Sequence, residues 1–309
     1  MADLAPHELR ILVAVEREQS FTAAAESLGM SQSAVSHAVR TCERKIGAVL
    51  FDRGRHGARA TEAGARAAVQ ARRILRLLDT LAAEARGTAT GTVSGPLRIA
   101  AFRSAAAQLL PAVLARLTAR HPELAPQVRI VREIGPGTAG EVAEGRADLG
   151  FATLDAATGR LAGLVATPLF EEPYALAHPE GSTDPKSLPM IDWVENCGSY
   201  TRDWWKRQAW IPPSTLDVED DGFALSLVAK GIGAAIMPWT ALLGRPPGIA
   251  LTDLGPNPPT RTVGFVTTPD LADSLAVRAL IRELRSAPLP DGLRPLGPSR
   301  GRTARGASA

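Results

Sequence analysis

One predicted helix near the N-terminus carries hydrogen-bonding groups and cations along a single stripe. The helix covers residues 32–46, and its stripe holds serine, histidine and arginine side chains. Short polar groups and arginine can contact base edges in the major groove of DNA. The residues that we expect at such a contact are Ser31, Gln32, Ser33, Ser36, His37 and Arg40. The alternative interpretation is a solvated helix face, which most amphipathic helices have.

A basic hairpin is predicted directly after this helix. The segment LFDRGRHGARATEAG places short apolar stretches on both sides of a glycine-rich turn. Its arginines Arg53, Arg55 and Arg59 can contact phosphates beside the groove. A polar helix stripe followed at once by a basic hairpin favours DNA binding over the solvated-face alternative.

Three helices are predicted to position these groups. Apolar residues at a spacing near 3.6 predict the first helix over residues 6–17. Ser20 can cap a second helix that ends at Gly29, and Ser31 can cap a third that ends at Gly47. Two helices joined by a three-residue break form a helix-turn-helix.

A longer pattern of residues at fixed spacing runs from residue 9 to residue 64. It consists of Ser20-Phe21-Thr22, Ala24-Ala25, Leu28, Ser31-Gln32-Ser33-Ala34-Val35-Ser36, Glu43, Ile46-Gly47, Leu50-Phe51-Asp52-Arg53 and Thr61-Glu62-Ala63-Gly64. In this order the pattern resembles the DNA-binding domain of the LysR-type transcriptional regulators. Ser33 departs from it because the family usually has proline there, and Cys42 stands where leucine is common. Because Cys42 lies on the inward face, we expect it to act as a small core residue.

A long linker helix is predicted from Thr61 to about residue 86. Ala67, Ala71, Ile74, Leu78, Leu81 and Ala85 repeat at steps of four and three, which is the spacing of a coiled-coil seam. The resemblance implies a dimer contact, and we assign it to Ile74, Leu78 and Leu81. The alternative is a single helix that packs on its own effector domain. We interpret the segment 87–91 as a flexible hinge.

From residue 96 the sequence alternates between predicted strands and helices. This alternation is typical of a parallel sheet with helices on both faces. The order also resembles the LysR effector domain, which is built like a periplasmic solute-binding protein. The resemblance implies two α/β subdomains that face each other across a cleft, joined by crossing strands near 164–170 and 261–267.

The predicted fold is therefore an N-terminal all-α winged helix-turn-helix with a long linker helix, followed by a periplasmic-binding-protein-like α/β effector domain of two subdomains. The expected boundaries are 1–61 for the DNA-binding domain, 62–90 for the linker helix and hinge, 91–287 for the effector domain and 288–309 for a disordered basic tail. Within the effector domain, residues 96–163 and 268–287 form subdomain I, and residues 164–267 form subdomain II.

The ligand site is predicted from a rule of sheet topology. Ligands of open α/β sheets bind outside the carboxyl ends of the strands. This rule and the facing loops select Arg103, Ser104, Thr138, Thr153, Tyr200, Thr201 and Asp221. Ser104 begins a predicted helix, where free N–H groups favour an anion, although it could equally be a plain helix cap. We expect a small polar effector, anionic rather than cationic, while Asp220 and Asp221 leave an amine as the alternative.

The sequence shows no catalytic, metal or membrane signature. It contains no HExxH or P-loop, and its two cysteines form neither a disulfide framework nor a metal cluster. No apolar run reaches the roughly 18 residues of a membrane span, and the first residues do not form a secretory signal. We therefore expect a cytoplasmic protein that is not an enzyme and uses no cofactor.

The expected partners are double-stranded promoter DNA, a small-molecule effector and further copies of the chain in a homodimer or homotetramer. RNA polymerase is a candidate partner, and no membrane contact is expected. Two alternatives remain: a DNA-binding regulator without a small-molecule ligand, and an enzyme on the α/β scaffold.

Overall fold

The computed structural model describes residues 3–54, 57–154, 163–194, 199–212 and 214–296. The chain forms two compact units. One comprises Met1–Gly95 and Glu144–Ala147, and the other comprises Pro96–Ala143 and Asp148–Ala309. The first unit is mainly helical, and the second is built around a sheet.

The first unit has the predicted order of helices and hairpin. Its described elements are α1 (Pro6–Glu18), α2 (Phe21–Leu28), α3 (Gln32–Ile46), β1 (Phe51–Gly54), β2 (Gly57–Ala60) and α4 (Glu62–Thr90). The hydroxyl of Ser20 accepts a hydrogen bond from the Ala23 amide at 3.3 Å, and that of Ser31 accepts from the Ala34 amide at 3.2 Å. Gly29 and Gly47 end their helices in the left-handed conformation, as predicted.

Apolar faces of α1, α2 and α3 form the core of this unit. Val15, Val35 and Cys42 are fully buried in it. A buried carboxylate lies at its edge, where Glu8 accepts hydrogen bonds from Lys45 Nζ at 2.8 Å and from the Ala5 amide at 2.8 Å. The hydrogen bond from Lys45, followed by that from Ala5, lowers the pKa of Glu8. The ion pair therefore fastens α3 to α1.

The linker helix is longer than predicted. Residues 87–90, which we expected to form a hinge, continue α4 up to its end at Thr90. The hydroxyl of Thr88 donates to the Glu84 carbonyl at 2.9 Å, and that of Thr90 donates to the Arg86 carbonyl at 3.0 Å. The hinge prediction is wrong because a single glycine does not stop a helix, and only Gly91 adopts the left-handed conformation.

The second unit alternates strands with helices. Its described elements are β3 (Gly95–Ala101), α5 (Arg103–Gln108), α6 (Leu110–Arg120), β4 (Leu124–Ile130), α7 (Gly137–Ala143), β5 (Leu149–Thr153), β6 (Val165–Pro179), a 3₁₀ turn (Pro185–Ser187), β7 (Met190–Trp193), α8 (Ser199–Lys206), β8 (Ser214–Val218), α9 (Asp221–Ala229), β9 (Ala235–Pro238), α10 (Trp239–Leu242), β10 (Ile249–Thr252), β11 (Thr260–Thr267), α11 (Pro269–Ala272), α12 (Leu275–Ser286) and β12 (Arg294–Pro295).

One long strand, β6, connects the two halves of this unit. The described sheet has the order β10-β6-β11-β5-β3-β4, with β9 and β12 also paired to β6. The first part of β6 pairs with β11, and its last residues pair with β9 and β10. Strands β6 and β11 lie where the crossing strands were predicted, and β3 runs parallel to β5 as expected.

The predicted disordered tail begins too early. Residues 288–296 are folded, because the indole N–H of Trp239 donates to the Asp291 carbonyl at 2.7 Å and Leu293 is buried. Further on, the amide of Leu296 donates to the Leu169 carbonyl at 2.9 Å beside β12. Proline and glycine in this stretch suggested disorder, but Leu293 is buried and β12 pairs with β6. Residues 297–309 of the predicted tail lie outside the described residues.

Candidate nucleic-acid interface and ligand cleft

The polar stripe of α3 faces solvent over most of its length. Gln32, Ser33, His37 and Arg40 are all exposed. Ser31 is also exposed, and its hydroxyl caps the helix and lies 3.1 Å from the hydroxyl of Ser33. The structure therefore brings these five predicted residues to one surface.

Ser36 does not share this exposure. It is only 9% exposed, so it offers less surface to another molecule than the other residues of the stripe. At 100° per residue, position 36 lies about 60° from the core residue Val39 and about 40° from each of Gln32 and Arg40, between them on the stripe. A small side chain at that angle lies below its neighbours.

The predicted basic hairpin is formed by β1 and β2. The two strands are antiparallel, with Asp52 opposite Arg59, and Arg59 is exposed. Arg53 lies within β1, while Arg55 lies outside the described residues. The hairpin thus presents at least one predicted phosphate-binding arginine to solvent.

Two contacts hold the hairpin against the helices. The carboxylate of Glu43 on α3 accepts hydrogen bonds from the amides of Leu50 at 2.9 Å and Phe51 at 3.3 Å. The amide of Ala58 donates to the Gln19 carbonyl at 2.8 Å. The hairpin therefore keeps a fixed position beside α3, as a surface that binds a rigid duplex requires.

In the second unit, two predicted ligand residues from opposite subdomains contact each other. The guanidinium of Arg103 donates to Asp221 through Nε at 2.6 Å and through a second nitrogen. A further contact of 3.4 Å joins it to Asp220. The Arg103 side chain is 45% exposed, whereas that of Asp221 is 9% exposed. A molecule that enters the cleft can therefore reach the cation more easily than its partner.

Ser104 does not lie at a helix cap. Phe102 is the capping residue of α5, and that helix has six residues and ends before α6 begins. Ser104 is buried, and its hydroxyl accepts a hydrogen bond from the Thr240 hydroxyl at 3.2 Å. The plain cap predicted for Ser104 is wrong, and the hydroxyl that was expected to contact an anion instead accepts this hydrogen bond from Thr240.

The predicted residues Thr138 and Thr153 meet around a carboxylate that sequence reasoning missed. Glu133 accepts hydrogen bonds from the amide of Thr138 at 3.0 Å and from the amide of Thr153 at 2.9 Å. The Thr138 hydroxyl is fully buried between Glu133 and the Phe151 carbonyl. Burial raises the pKa of Glu133 even though these hydrogen bonds oppose the shift. The donors expected for an anionic ligand therefore already bind an internal carboxylate.

The remaining predicted ligand residues lie on α8. Thr201 is fully buried within α8, so the expectation that it lies in a loop facing the cleft is wrong. The turn residues 195–198 lie outside the described residues, and so does the side chain of Tyr200. The helix carries Thr201 inward together with Trp204 three residues later.

A buried ion pair lies on the crossing strands. Arg261 of β11 donates to Glu172 of β6 at 2.5 Å, and the other oxygen of Glu172 accepts from the Thr240 amide at 2.7 Å. The guanidinium of Arg261 also lies over the ring of Phe102, 5.0 Å from its centre. This network, which sequence reasoning missed, joins both crossing strands to Ser104 through Thr240. The available signal was the presence of charged residues in two mainly apolar strands, Glu171 and Glu172 in β6 and Arg261 in β11.

The described residues offer neither a metal site nor a membrane-spanning helix. No group of three or more histidine, cysteine, aspartate and glutamate side chains in this part of the chain could hold a metal ion. No described helix is long and apolar enough to cross a membrane.

The chain matches two protein-family models. Residues 6–65 match "Bacterial regulatory helix-turn-helix protein, lysR family", and residues 90–288 match "LysR substrate binding domain". A "Probable HTH-type transcriptional regulator LrrA" of Synechococcus elongatus is 33% identical over 90% of this chain and 95% of its own. A "Probable hydrogen peroxide-inducible genes activator" of Mycobacterium xenopi is 34% identical over 56% of this chain and 88% of its own.

Solved structures share the fold. A full-length OxyR variant from Pseudomonas aeruginosa has a TM-score of 0.69 at 20% identity, covering 95% of this chain and 98% of that one. Full-length CbnR complexed with its target DNA has a TM-score of 0.64 at 20% identity, covering 91% of this chain and 99% of that one.

Proposed function

Because this chain belongs to the LysR family of bacterial helix-turn-helix regulators, we propose that it reads promoter DNA with the exposed stripe of α3 and the β1–β2 hairpin. The predicted family and fold class are confirmed. The prediction that the chain is a transcription regulator and not an enzyme is confirmed as well. The observation that carries the residue assignment is the exposed stripe itself. A regulator must work where the DNA is, so we also place the protein in the cytoplasm.

The roles within this surface follow from its chemistry. Gln32 and Arg40 contact base edges, since amide and guanidinium groups can form bidentate hydrogen bonds with bases. Ser31, Ser33 and His37 contribute shorter contacts beside them. Arg53, Arg55 and Arg59 bind phosphates, which gives affinity without sequence preference.

An apolar stripe on α4 supports a dimer. Ile74, Leu77, Leu78 and Leu81 are between 39% and 65% exposed within the single chain. By contrast, Ala71 at the start of the predicted seam is buried within the first unit. We propose that Ile74, Leu78 and Leu81 pack against a second copy, which lets two recognition helices bind paired half-sites. A further association of dimers into tetramers and a contact with RNA polymerase are compatible with this arrangement.

The dimer is tested by the double substitution Leu78→Asp with Leu81→Asp. Two buried aspartates at the contact are costly, so sedimentation should show monomers and DNA affinity should fall. Ala82→Asp with Arg86→Gln changes the charge by the same amount beside the stripe and should leave the dimer intact. An unchanged dimer in the leucine variant would contradict the assignment.

The effector site is proposed at the Arg103–Asp221 contact between the subdomains. A ligand carboxylate would compete with Asp221 for the Arg103 guanidinium, whose 45% side-chain exposure makes it the accessible partner. Charge-assisted hydrogen bonds of this kind are strong. The buried Ser104, Thr138 and Thr201 act in support of the cleft, while Thr153 and Tyr200 remain candidates for direct contact.

This site is tested by calorimetry with a panel of mono- and dicarboxylates on the full chain. For a carboxylate that binds, Arg103→Gln should weaken binding at least tenfold, and Asp221→Asn should strengthen it because the internal competitor is removed. Arg132→Gln is the matched control, since Arg132 forms a 2.9 Å ion pair with the 79% exposed Glu219. Equal binding by the wild-type chain and Arg103→Gln would refute the site.

A further inference from the structure

A second cavity lies in the second unit and shares no residue with the Arg103–Asp221 contact. Its volume is about 350 Å³, at the lower end of the roughly 300–1,000 Å³ that is usual for small-molecule sites. Its walls come from the α5–α6 junction, the first part of β6, the end of α12 and the folded segment 287–296. Leu109, Val113, Phe170 and Leu284 make much of its surface apolar.

The walls of this cavity are held in place by hydrogen bonds. On α12, the buried carboxylate of Glu283 accepts hydrogen bonds from Arg116 at 3.1 Å and Arg120 at 2.7 Å, both on α6. The segment that closes the cavity is attached at Asp291 by the Trp239 indole and at Leu296 by the Leu169 carbonyl. A preformed cavity needs little ordering when a ligand binds, which favours affinity.

The described lining of the cavity carries a single charged side chain. Among the described residues that line the cavity, Arg285 is the only one with an ionisable side chain, and it is exposed at the end of α12. The other polar lining residues, Gln108 and Thr167, are neutral. An apolar chamber with a single cation fits a molecule that has an apolar body and one negative group.

The cavity also touches an irregularity in the crossing strand. Val263 of β11 pairs with Phe170, but Gly264 pairs with Pro168, so Leu169 between them has no partner in β11. Leu169 lines the cavity. Bulges of this kind are frequent beside functional sites. A molecule in the cavity would therefore contact the strand that joins the two subdomains.

We propose that this cavity is a second ligand site, which takes an apolar monocarboxylic acid with its carboxylate at Arg285. The apolar body lies against Val113, Phe170 and Leu284, and the bulge at Leu169 forms part of its contact. The site is independent of the effector cleft and does not require the cleft to be occupied.

Calorimetry of the full chain with octanoate and with 1-octanol tests the proposal. The two probes have apolar bodies of the same length, and only octanoate carries a charge. Octanoate should bind saturably with one site per chain, about 3- to 5-fold more tightly than 1-octanol, as an exposed ion pair allows. Arg285→Gln should remove that difference and leave the binding of 1-octanol unchanged. Arg282→Gln, on the same helix but outside the cavity, should preserve it.

A space-filling variant locates the binding. Ala112 is an exposed position on α6 at the cavity, so Ala112→Phe should weaken both probes at least tenfold, whereas Ala115→Phe one turn further should not. If Ala112→Phe disturbs folding, the Arg285→Gln comparison still decides the question. No saturable octanoate binding, unchanged binding in Ala112→Phe, or loss of binding in Arg103→Gln would overturn the proposal.

Discussion

The two units use polar residues in opposite ways. On the DNA-binding surface, Gln32, Ser33, His37 and Arg40 are exposed on one helix face. In the second unit, Arg103, Asp221, Ser104, Thr138 and the amide of Thr153 all form hydrogen bonds with other residues of the chain. A surface that binds DNA can keep its groups in water until the duplex arrives. A cleft between subdomains must satisfy its buried groups in the meantime, so its ligand has to compete with internal partners.

The largest expected effect is a loss of stability in the second unit when its buried ion pair, Arg261 with Glu172, is broken. Arg261→Ala leaves the fully buried Glu172 carboxylate without its cation, which should lower the free energy of unfolding by about 3–5 kcal/mol. Urea titration followed by tryptophan fluorescence measures this, because all five tryptophans lie beyond residue 190 and report the second unit. Arg294→Ala removes an exposed ion pair with Glu171, which lies next to Glu172 on β6. This change should lower the free energy of unfolding by less than about 1 kcal/mol. Equal losses in the two variants would contradict the account of the network.

The next effect concerns the core of the DNA-binding unit. Burial raises the pKa of the Cys42 thiol to about 11, so the reactive thiolate is scarce at pH 8. In a Cys197→Ser background, iodoacetamide should modify Cys42 roughly 100-fold more slowly than a free thiol, and faster as pH approaches 11. Mass spectrometry follows the reaction, and unfolding in urea should abolish the protection. Rapid modification of the folded chain at pH 8 would show that α3 does not pack as described.

A smaller effect separates phosphate contacts from base contacts. Arg55→Ala should weaken binding to every duplex alike and reduce the slope of log affinity against log salt by about one. Fluorescence anisotropy at several salt concentrations, with two unrelated duplexes, gives both quantities. A change in sequence preference without a change in salt slope would move Arg55 from the phosphates to the bases.

The smallest effect is a pH dependence in the cleft. The pKa of Glu133 is raised in the folded chain, so the stability linked to its protonation is present below the unfolded value and is lost as pH rises through the folded value. The free energy of unfolding of Glu133→Gln should therefore rise relative to that of the wild-type chain as the pH increases from 4.5 to 7.5. Urea titration with tryptophan fluorescence measures this difference. Glu123→Gln, at an exposed position, should show no such trend. A Glu133→Gln difference that stays constant across this range would refute the shift.

Local signals predicted the first unit better than the second. Ser20, Ser31, Gly29 and Gly47 act at the helix ends where the sequence placed them, because caps depend on residues three or four positions away. Ser36 lies within the stripe but is less exposed than its neighbours, which the spacing alone did not reveal. The predicted hinge at 87–90 was wrong because glycine permits a break without requiring one.

The second unit depends on contacts that no local pattern encodes. Arg103 and Asp221 were both selected from strand and helix ends, but their direct contact joins residues 118 positions apart. Glu133 was overlooked because its partners, Thr138 and Thr153, reach it through backbone amides whose direction the sequence does not reveal. The folded segment 288–296 was missed because its composition resembles that of a disordered tail, whereas its packing depends on β6 and Trp239.

The most direct test of the DNA-binding account is selection of bound duplexes from a randomised pool, carried out with the wild-type chain, Arg40→Ala and Ser36→Ala. The wild-type chain should enrich a two-fold symmetric site, and Arg40→Ala should bind it about 1–3 kcal/mol more weakly with a blurred base preference. Ser36→Ala should enrich the wild-type site, since Ser36 is less exposed than its neighbours on the stripe. The account is contradicted if the wild-type chain enriches no sequence, or if Arg40→Ala keeps both the affinity and the preference.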